Sequence, residues 1–140
     1  MSFINRREVT IEWGDCDPAG IVFYPRYFAM FDASTAALFA AALGYNKFEM
    51  LSRFAIIGIP MVDTGAQFLV PSRFGDVIII ESQIALFRRS SFNVAHLVYR
   101  GEALAIEAHE TRVWAGRDPE NPARIKGAAI PVEVKEAFAR

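Results

Sequence analysis

The sequence predicts an α+β domain in which one long helix is wrapped by a curled antiparallel sheet. Three observations predict it. Residues 26–43 hold neither Gly nor Pro and are apolar almost all round; residues 76–115 read as consecutive strands; and the links between those strands are tight. A helix hydrophobic on every side belongs inside something. Short links make neighbouring strands antiparallel, and the economical packing is a sheet curled round the helix.

Taken in order, Glu8 to Trp13 sets Val9, Ile11 and Trp13 against Glu8, Thr10 and Glu12, the alternation of a half-buried strand. Residues 14–20, Gly-Asp-Cys-Asp-Pro-Ala-Gly, are dense in turn formers and predict a loop. Pro25 suits a first helical turn, and Gly44 supplies the stop after Leu43. A shorter helix is expected over Phe48–Phe54. Ile56–Val70 reads as strand interrupted by Gly58, Pro60 and Gly65, followed by strands over Asp76–Arg89, Phe92–Arg100 and Ala103–Ala115. Ile125 begins a last short strand, and Pro131–Ala139 a C-terminal helix. Open sheet edges invite a second copy, so at least a dimer is expected.

Composition narrows the function. A chain of 140 residues, 53% hydrophobic and 22% charged, is one domain with a packed core, and disorder is excluded. A formal charge of −1 excludes a basic footprint for nucleic acid. One cysteine, Cys16, excludes an internal disulfide and a Cys-based zinc site. The N-terminus lacks an apolar targeting core and no run approaches a membrane span, so a cytoplasmic chain without membrane association is expected. Basic residues are 12 Arg to 3 Lys, which either reflects base composition or supplies planar forks for phosphate and carboxylate.

The usual nucleophilic sets are missing. His96 and His109 both fall inside strand patterns and read as satisfied structural residues, and no nucleophile elbow or phosphate loop is present. Cys16 lies between Asp15 and Asp17, whose charges disfavour a thiolate, so it reads as a packing residue. What remains is the loop before the long helix. Backbone N–H groups between Gly20 and Pro25 lie at the positive end of the helix dipole and have no helical partners. A carboxylate close to such donors is a minimal hydrolase site. Two other readings stay open: the aspartates only cap the helix, or Asp15 and Asp17 hold a divalent metal for which no third ligand is evident.

The run from Trp13 to Tyr27, with Asp15-Cys16-Asp17-Pro18-Ala19-Gly20-Ile21-Val22 at its centre, closely resembles the signature of hotdog-fold thioesterases, in particular the 4-hydroxybenzoyl-CoA thioesterase branch. The resemblance continues to Asp32-Ala33, Gly58-Ile59-Pro60, Arg88-Arg89 and Ser91-Phe92, and thins after Ala115. It implies a hotdog fold and metal-free, cofactor-free hydrolysis of an acyl-CoA. Asp17 would be nucleophile or general base, and the Tyr24 backbone N–H would polarise the carbonyl. Gly20, Phe23, Asp32, Arg88, Arg89 and Ser91 would contact the substrate, Asp32 at the hydroxyl of an aromatic acyl group and the arginines at the CoA phosphates. Asp15 reads as a loop or capping residue. Other readings are a helix-polar Asp32 facing solvent and a solvated turn at Arg88 and Arg89. The chain departs from the branch in carrying Ser90 where a lysine would strengthen the basic patch, and Phe23 where an indole can occur. The resemblance also implies a site at a subunit interface, in a dimer or a homotetramer of two dimers. Alternatives are an aliphatic acyl-CoA, an acyl-carrier protein, or a non-catalytic acyl-CoA binder.

Overall fold

A computed structural model describes residues 3–140. Strand β1 (Ile4–Thr10) leads through a single 3-10 turn, Trp13–Asp15, to the long helix α1 (Tyr24–Leu43). After a short helix α2 (Lys47–Arg53) come β2 (Met61–Phe68), β3 (Val77–Phe87), β4 (Ser91–Arg100) and β5 (Ala103–Val113). The strands β6 (Ala115–Arg117) and β7 (Ile125–Gly127) form a small ribbon, and α3 (Val132–Ala137) ends the chain. The main sheet has the order β1-β3-β4-β5-β2 and every neighbour is antiparallel.

Alternation in the strands decides which face meets α1. Ile78, Ile80, Ser82 and Ile84 of β3 point inward, as do Phe92, Val94, His96 and Val98 of β4 and Ala108, Glu110 and Arg112 of β5. The helix answers with Tyr27, Met30, Phe31, Ser34, Thr35, Leu38, Phe39 and Ala42, spaced three and four apart. Each fully buried Phe or Leu of that stripe contributes roughly 1.5–3 kcal/mol. Pro25 lies in the first turn, where its missing N–H costs nothing. Gly44 caps the far end at φ 87°, a left-handed conformation that glycine enters without penalty.

The apolar core divides in two. One cluster gathers Ile11, Val22, Tyr27, Met30 and Phe31 with Ile78, Ile80 and Val98 round the N-terminal half of α1. The other gathers Leu38, Phe39, Met50, Ile84, Phe92, Trp114 and Phe138 round its C-terminal half. Between them lies a layer of buried polar side chains: Ser34, Thr35, Ser82, His96, Glu110 and Arg112.

Several expectations are corrected here. The first strand runs from Ile4 to Thr10, earlier than Glu8–Trp13. Ile11 keeps its inward phase and is fully buried. The chain then turns, because the Asp15 carboxylate accepts the Glu12 N–H at 2.9 Å, and Trp13 is left 67% exposed. Helix α1 is enclosed on one face only. Its other face carries Ala29, Asp32, Ala33 and Ala41, and the three alanines are small enough to be left open without a large apolar surface. Within Ile56–Val70 only Met61–Phe68 is strand, because Ile56 and Ile59 leave the sheet plane for the core. The last long strand ends at Val113, where Trp114 turns into the core and Ala115 starts the ribbon.

Candidate active site

The loop between the 3-10 turn and α1 is a tight hairpin held by its own backbone. Cys16 and Val22 bridge, the Asp17 N–H donates to Ile21 O at 2.9 Å, and the Gly20 N–H donates to Asp17 O at 2.9 Å. Gly20 sits at φ 80°, which closes the turn at little cost. The Asp17 carboxylate accepts the Ala19 N–H through Oδ1 at 2.8 Å, so its direction is fixed by a local turn while Oδ2 takes no protein donor among the described residues. Asp15 does different work. Its carboxylate closes the 3-10 turn, and its carbonyl accepts the Phe23 N–H at 2.8 Å, tying the loop to the start of the helix. That is the loop-capping part expected of it.

At the helix start, Phe23 is the N-terminal flanking residue and Tyr24 the first helical one. The Arg26 N–H turns back to Phe23 O at 2.8 Å, Pro25 has no N–H, and the Tyr24 N–H has no acceptor among the described residues. This is a fixed donor at the positive end of a 20-residue helix, the arrangement suited to polarising a carbonyl. The side chains of Phe23 and Tyr24 are half exposed or more and pack edge to face. A cavity of about 450 Å³ opens beside them, walled by Ile21, Val22, Tyr24, Phe68, Val70 and Pro71, with buried Tyr27 and Ser72 also lining it. The Tyr27 and Ser72 hydroxyls have no hydrogen-bond partner among the described residues. Burial pushes the Tyr27 phenol above its ordinary value.

Asp32 lies two turns further along α1, about 12 Å from Tyr24 by helical rise. Its side chain is 60% exposed, yet it is not solitary: Arg112 Nη2 donates to Oδ1 at 2.8 Å. Arg112 is 3% exposed and also donates through Nε to Glu110 Oε1 at 2.8 Å and through Nη1 to Ile59 O at 3.0 Å. Thr35 donates to the same Glu110 oxygen at 2.6 Å. His96 Nε2 stands 3.2 Å from Glu110 Oε2 but off the line for a hydrogen bond, and His96 Nδ1 pairs with Ser82 at 2.7 Å. Burial alone would raise the Glu110 carboxyl, but His96, Arg112 and Thr35 outweigh it and hold it at about 2. Burial would likewise lower Arg112, and the Glu110 and Asp32 carboxylates reverse that and raise it. Asp32 and Arg112 line a second cavity of about 370 Å³ with Lys47, Ile57, Gly58, Ile59, Pro60, Met61 and Ile125. The two cavities share no lining residue.

Arg88, Arg89 and Ser91 occupy the turn between β3 and β4. Arg88 N–H donates to Ser91 O at 2.8 Å, the Arg88 guanidinium reaches Asn93 Oδ1 at 2.6 Å, and the Arg89 carbonyl accepts the Ile130 N–H. Both arginines are exposed and neither forms an ion pair among the described residues. The turn sits at the far end of β3 from Val77, and the 11 residues of that strand span roughly 33 Å. The structure therefore brings Asp17, Gly20, Phe23 and Tyr24 together, sets Asp32 in a second cavity, and leaves Arg88, Arg89 and Ser91 at the opposite end of the same chain. His96 is the satisfied buried histidine its strand pattern implied, and His109 is exposed and paired with Asp63 at 3.2 Å. Glu110 and Arg112 escaped the sequence reading. Their only signal is two opposite charges two apart in an otherwise apolar strand phase.

Comparison with known proteins gives this geometry a context. The thioesterase-like superfamily pattern matches residues 11–138. The 4-hydroxybenzoyl-CoA thioesterase of Pseudomonas sp. (strain CBS-3) is 35% identical over 131 residues, covering 90% of this chain and 91% of that protein. A crystal structure of a D17N variant of 4-hydroxybenzoyl-CoA thioesterase, complexed with 4-hydroxybenzoyl-CoA, superposes with a TM-score of 0.88 at 32% identity, covering 97% of this chain and 99% of that one. A gentisyl-coenzyme A thioesterase superposes with a TM-score of 0.80 at 31% identity, over 97% and 100% of the two chains. The long helix wrapped by an antiparallel sheet thus has its counterpart in a defined group: the chain belongs to the thioesterase-like superfamily, as a hotdog-fold enzyme that hydrolyses acyl-CoA thioesters.

Proposed function

We propose that the acyl group is a hydroxylated aromatic one, with 4-hydroxybenzoyl-CoA the reference substrate. One observation carries the chemistry: the unpaired Tyr24 N–H stands at the start of α1, beside a loop whose own hydrogen bonds hold Asp17 in place. The thioester oxygen accepts the Tyr24 N–H, which stabilises the charge that develops as the carbonyl carbon becomes tetrahedral. Asp17 either adds to that carbon, giving an anhydride that water then cleaves, or takes a proton from the attacking water. In both routes the C–S bond breaks, the CoA sulfur leaves as thiolate and is protonated, and the acid is released. Gly20 gives the loop its closure and Phe23 an apolar wall for the acyl group.

Asp32 meets the ring hydroxyl in this reading. A relative bound to 4-hydroxybenzoyl-CoA and another named for gentisyl-coenzyme A both favour a hydroxylated ring. Arg88, Arg89 and Ser91 serve the CoA phosphates, with the arginine forks suited to them. Because that turn lies at the far end of its own chain, the CoA held at one loop would meet the turn of another copy. We infer a homodimer at least and a homotetramer as the complete enzyme. The open edge of β2, with Met61 and Val62 exposed, supports pairing of copies.

The test follows free thiol released from 4-hydroxybenzoyl-CoA, benzoyl-CoA and a short aliphatic acyl-CoA. Asp17→Asn is expected to lower turnover at least about 100-fold, and the wild type to prefer the hydroxylated ring. Wild-type rates in Asp17→Asn would overturn the mechanism. Equal turnover of all three substrates would leave the mechanism standing and remove the hydroxyaryl preference.

A further inference from the structure

We propose that Arg112 is a positioning residue that sets acyl-group specificity by fixing the carboxylate of Asp32; the inference rests on the reading in which Asp32 meets the acyl group. An aspartate on the exposed face of a helix ordinarily exchanges among rotamers. Here Oδ1 is held by a guanidinium that is itself immobile. Nε of Arg112 is committed to Glu110 and Nη1 to the Ile59 carbonyl, so the plane of the fork is fixed from two sides before Nη2 reaches Asp32 at 2.8 Å. Glu110 is fixed in turn by the Thr35 hydroxyl at 2.6 Å.

One acceptor is left over. Asp32 Oδ2 has no protein donor among the described residues, and Asp32 lines a cavity whose other walls include Gly58, Ile59, Pro60 and Met61. A carboxylate oxygen held there accepts one hydrogen bond from an acyl group that ends in a donor, a phenolic hydroxyl being the simplest. An acyl group without the donor covers that oxygen and leaves it unpaired, and sites of this kind reject such analogues strongly. Lysine cannot replace the arginine, because three separate acceptors are met by three N–H groups of one rigid plane, whereas an ammonium is a single point at the end of a flexible stem.

The experiment compares kcat/KM for 4-hydroxybenzoyl-CoA and benzoyl-CoA in wild type, Arg112→Lys and Asp32→Asn, with benzoyl-CoA as internal control for an intact catalytic loop. Arg112→Lys is expected to reduce the ratio of the two constants at least about 10-fold, the loss falling on the hydroxylated substrate. Equal losses on both substrates, or an unchanged ratio, would overturn the proposal, because a purely structural arginine does not distinguish the two. If Asp32→Asn collapses the ratio while Arg112→Lys does not, the proposal falls and the reading of Asp32 stands. If Asp32→Asn leaves the ratio untouched, the reading of Asp32 fails and the proposal with it. Should Arg112→Lys not fold, Glu110→Gln loosens the same fork at constant volume. A ratio lowered at least about threefold then supports the proposal, and an unchanged ratio overturns it.

Discussion

Glu110 offers a direct test of the polar layer that divides the core. Its carboxyl is 1% exposed and held at about 2, against an ordinary 4.5, although burial alone would raise it. A depressed carboxylate contributes stability that is fully present above the unfolded-state value and is lost as pH falls through the folded one. The window is therefore pH 4.5 down to 2, and within it stability declines by about 1.4 kcal/mol per pH unit on account of this one group. That depression corresponds to about 3 kcal/mol at neutral pH. Glu110→Gln keeps the shape and an oxygen for Thr35 and Arg112 but removes the charge. Urea denaturation of both proteins at one protomer concentration is expected to show a gap of about 3 kcal/mol at pH 7, narrowing to about 1 kcal/mol at pH 3. Subtracting the curves removes the other carboxylates, which are common to both. A gap that stays constant from pH 7 to pH 3 would refute the reasoning, as would one below about 1 kcal/mol at pH 7.

Three further outcomes follow from packing. Phe39 is 1% exposed and lies between Phe92 at 5.3 Å and Phe138 at 4.9 Å, so Phe39→Ala should cost about 3–5 kcal/mol in equilibrium denaturation. Gly44→Ala places a Cβ at φ 87° with nothing within 4 Å; it should cost about 1 kcal/mol from backbone strain alone and leave kcat/KM unchanged. Tyr27→Phe deletes a buried hydroxyl that has no partner among the described residues, so stability should hold or rise by up to about 1 kcal/mol, and a loss of more than about 1 kcal/mol in thermal melts would show that the hydroxyl is bonded.

What the sequence made legible was what is local. The Asp17 loop is stated within a dozen consecutive residues, and its hydrogen bonds close inside the same segment, so turn formers and a helix start suffice to find it. The long helix and the strands of the meander follow from periodicity, and their links from composition. The polar layer was hidden for the opposite reason. Thr35 and Glu110 are 75 residues apart and Asp32 and Arg112 are 80 apart, so only the closed fold makes neighbours of them. Nor does the second half of β5 declare its phase, because Glu107, His109 and Thr111 on one side alternate with Ala108, Glu110 and Arg112 on the other, and charged residues fall on both. Trp13 misled in a simpler way. Its side chain continues the apolar alternation of Val9 and Ile11, but the Asp15 carboxylate takes the Glu12 N–H and turns the chain out of the sheet.

The placement of that layer bears on why it exists. Buried ion pairs are poor stabilisers, since desolvation offsets most of the attraction, and apolar residues of like volume often serve the fold as well. Here the buried charges run in one direction. Ser82 and His96 anchor the inner end, Thr35 and Glu110 sit at the midpoint of α1, and Arg112 carries the chain outward to Asp32, whose side chain alone among them is largely exposed. A layer built for stability would have no need to end on a solvent-facing carboxylate. One built to hold that carboxylate would need each of these links: a guanidinium to grip it, a buried acid to keep the guanidinium in plane, a hydroxyl to bond the acid, and an imidazole beside it that favours its charge. Thus the stability given up in the core is tied to the geometry of a single oxygen at its edge.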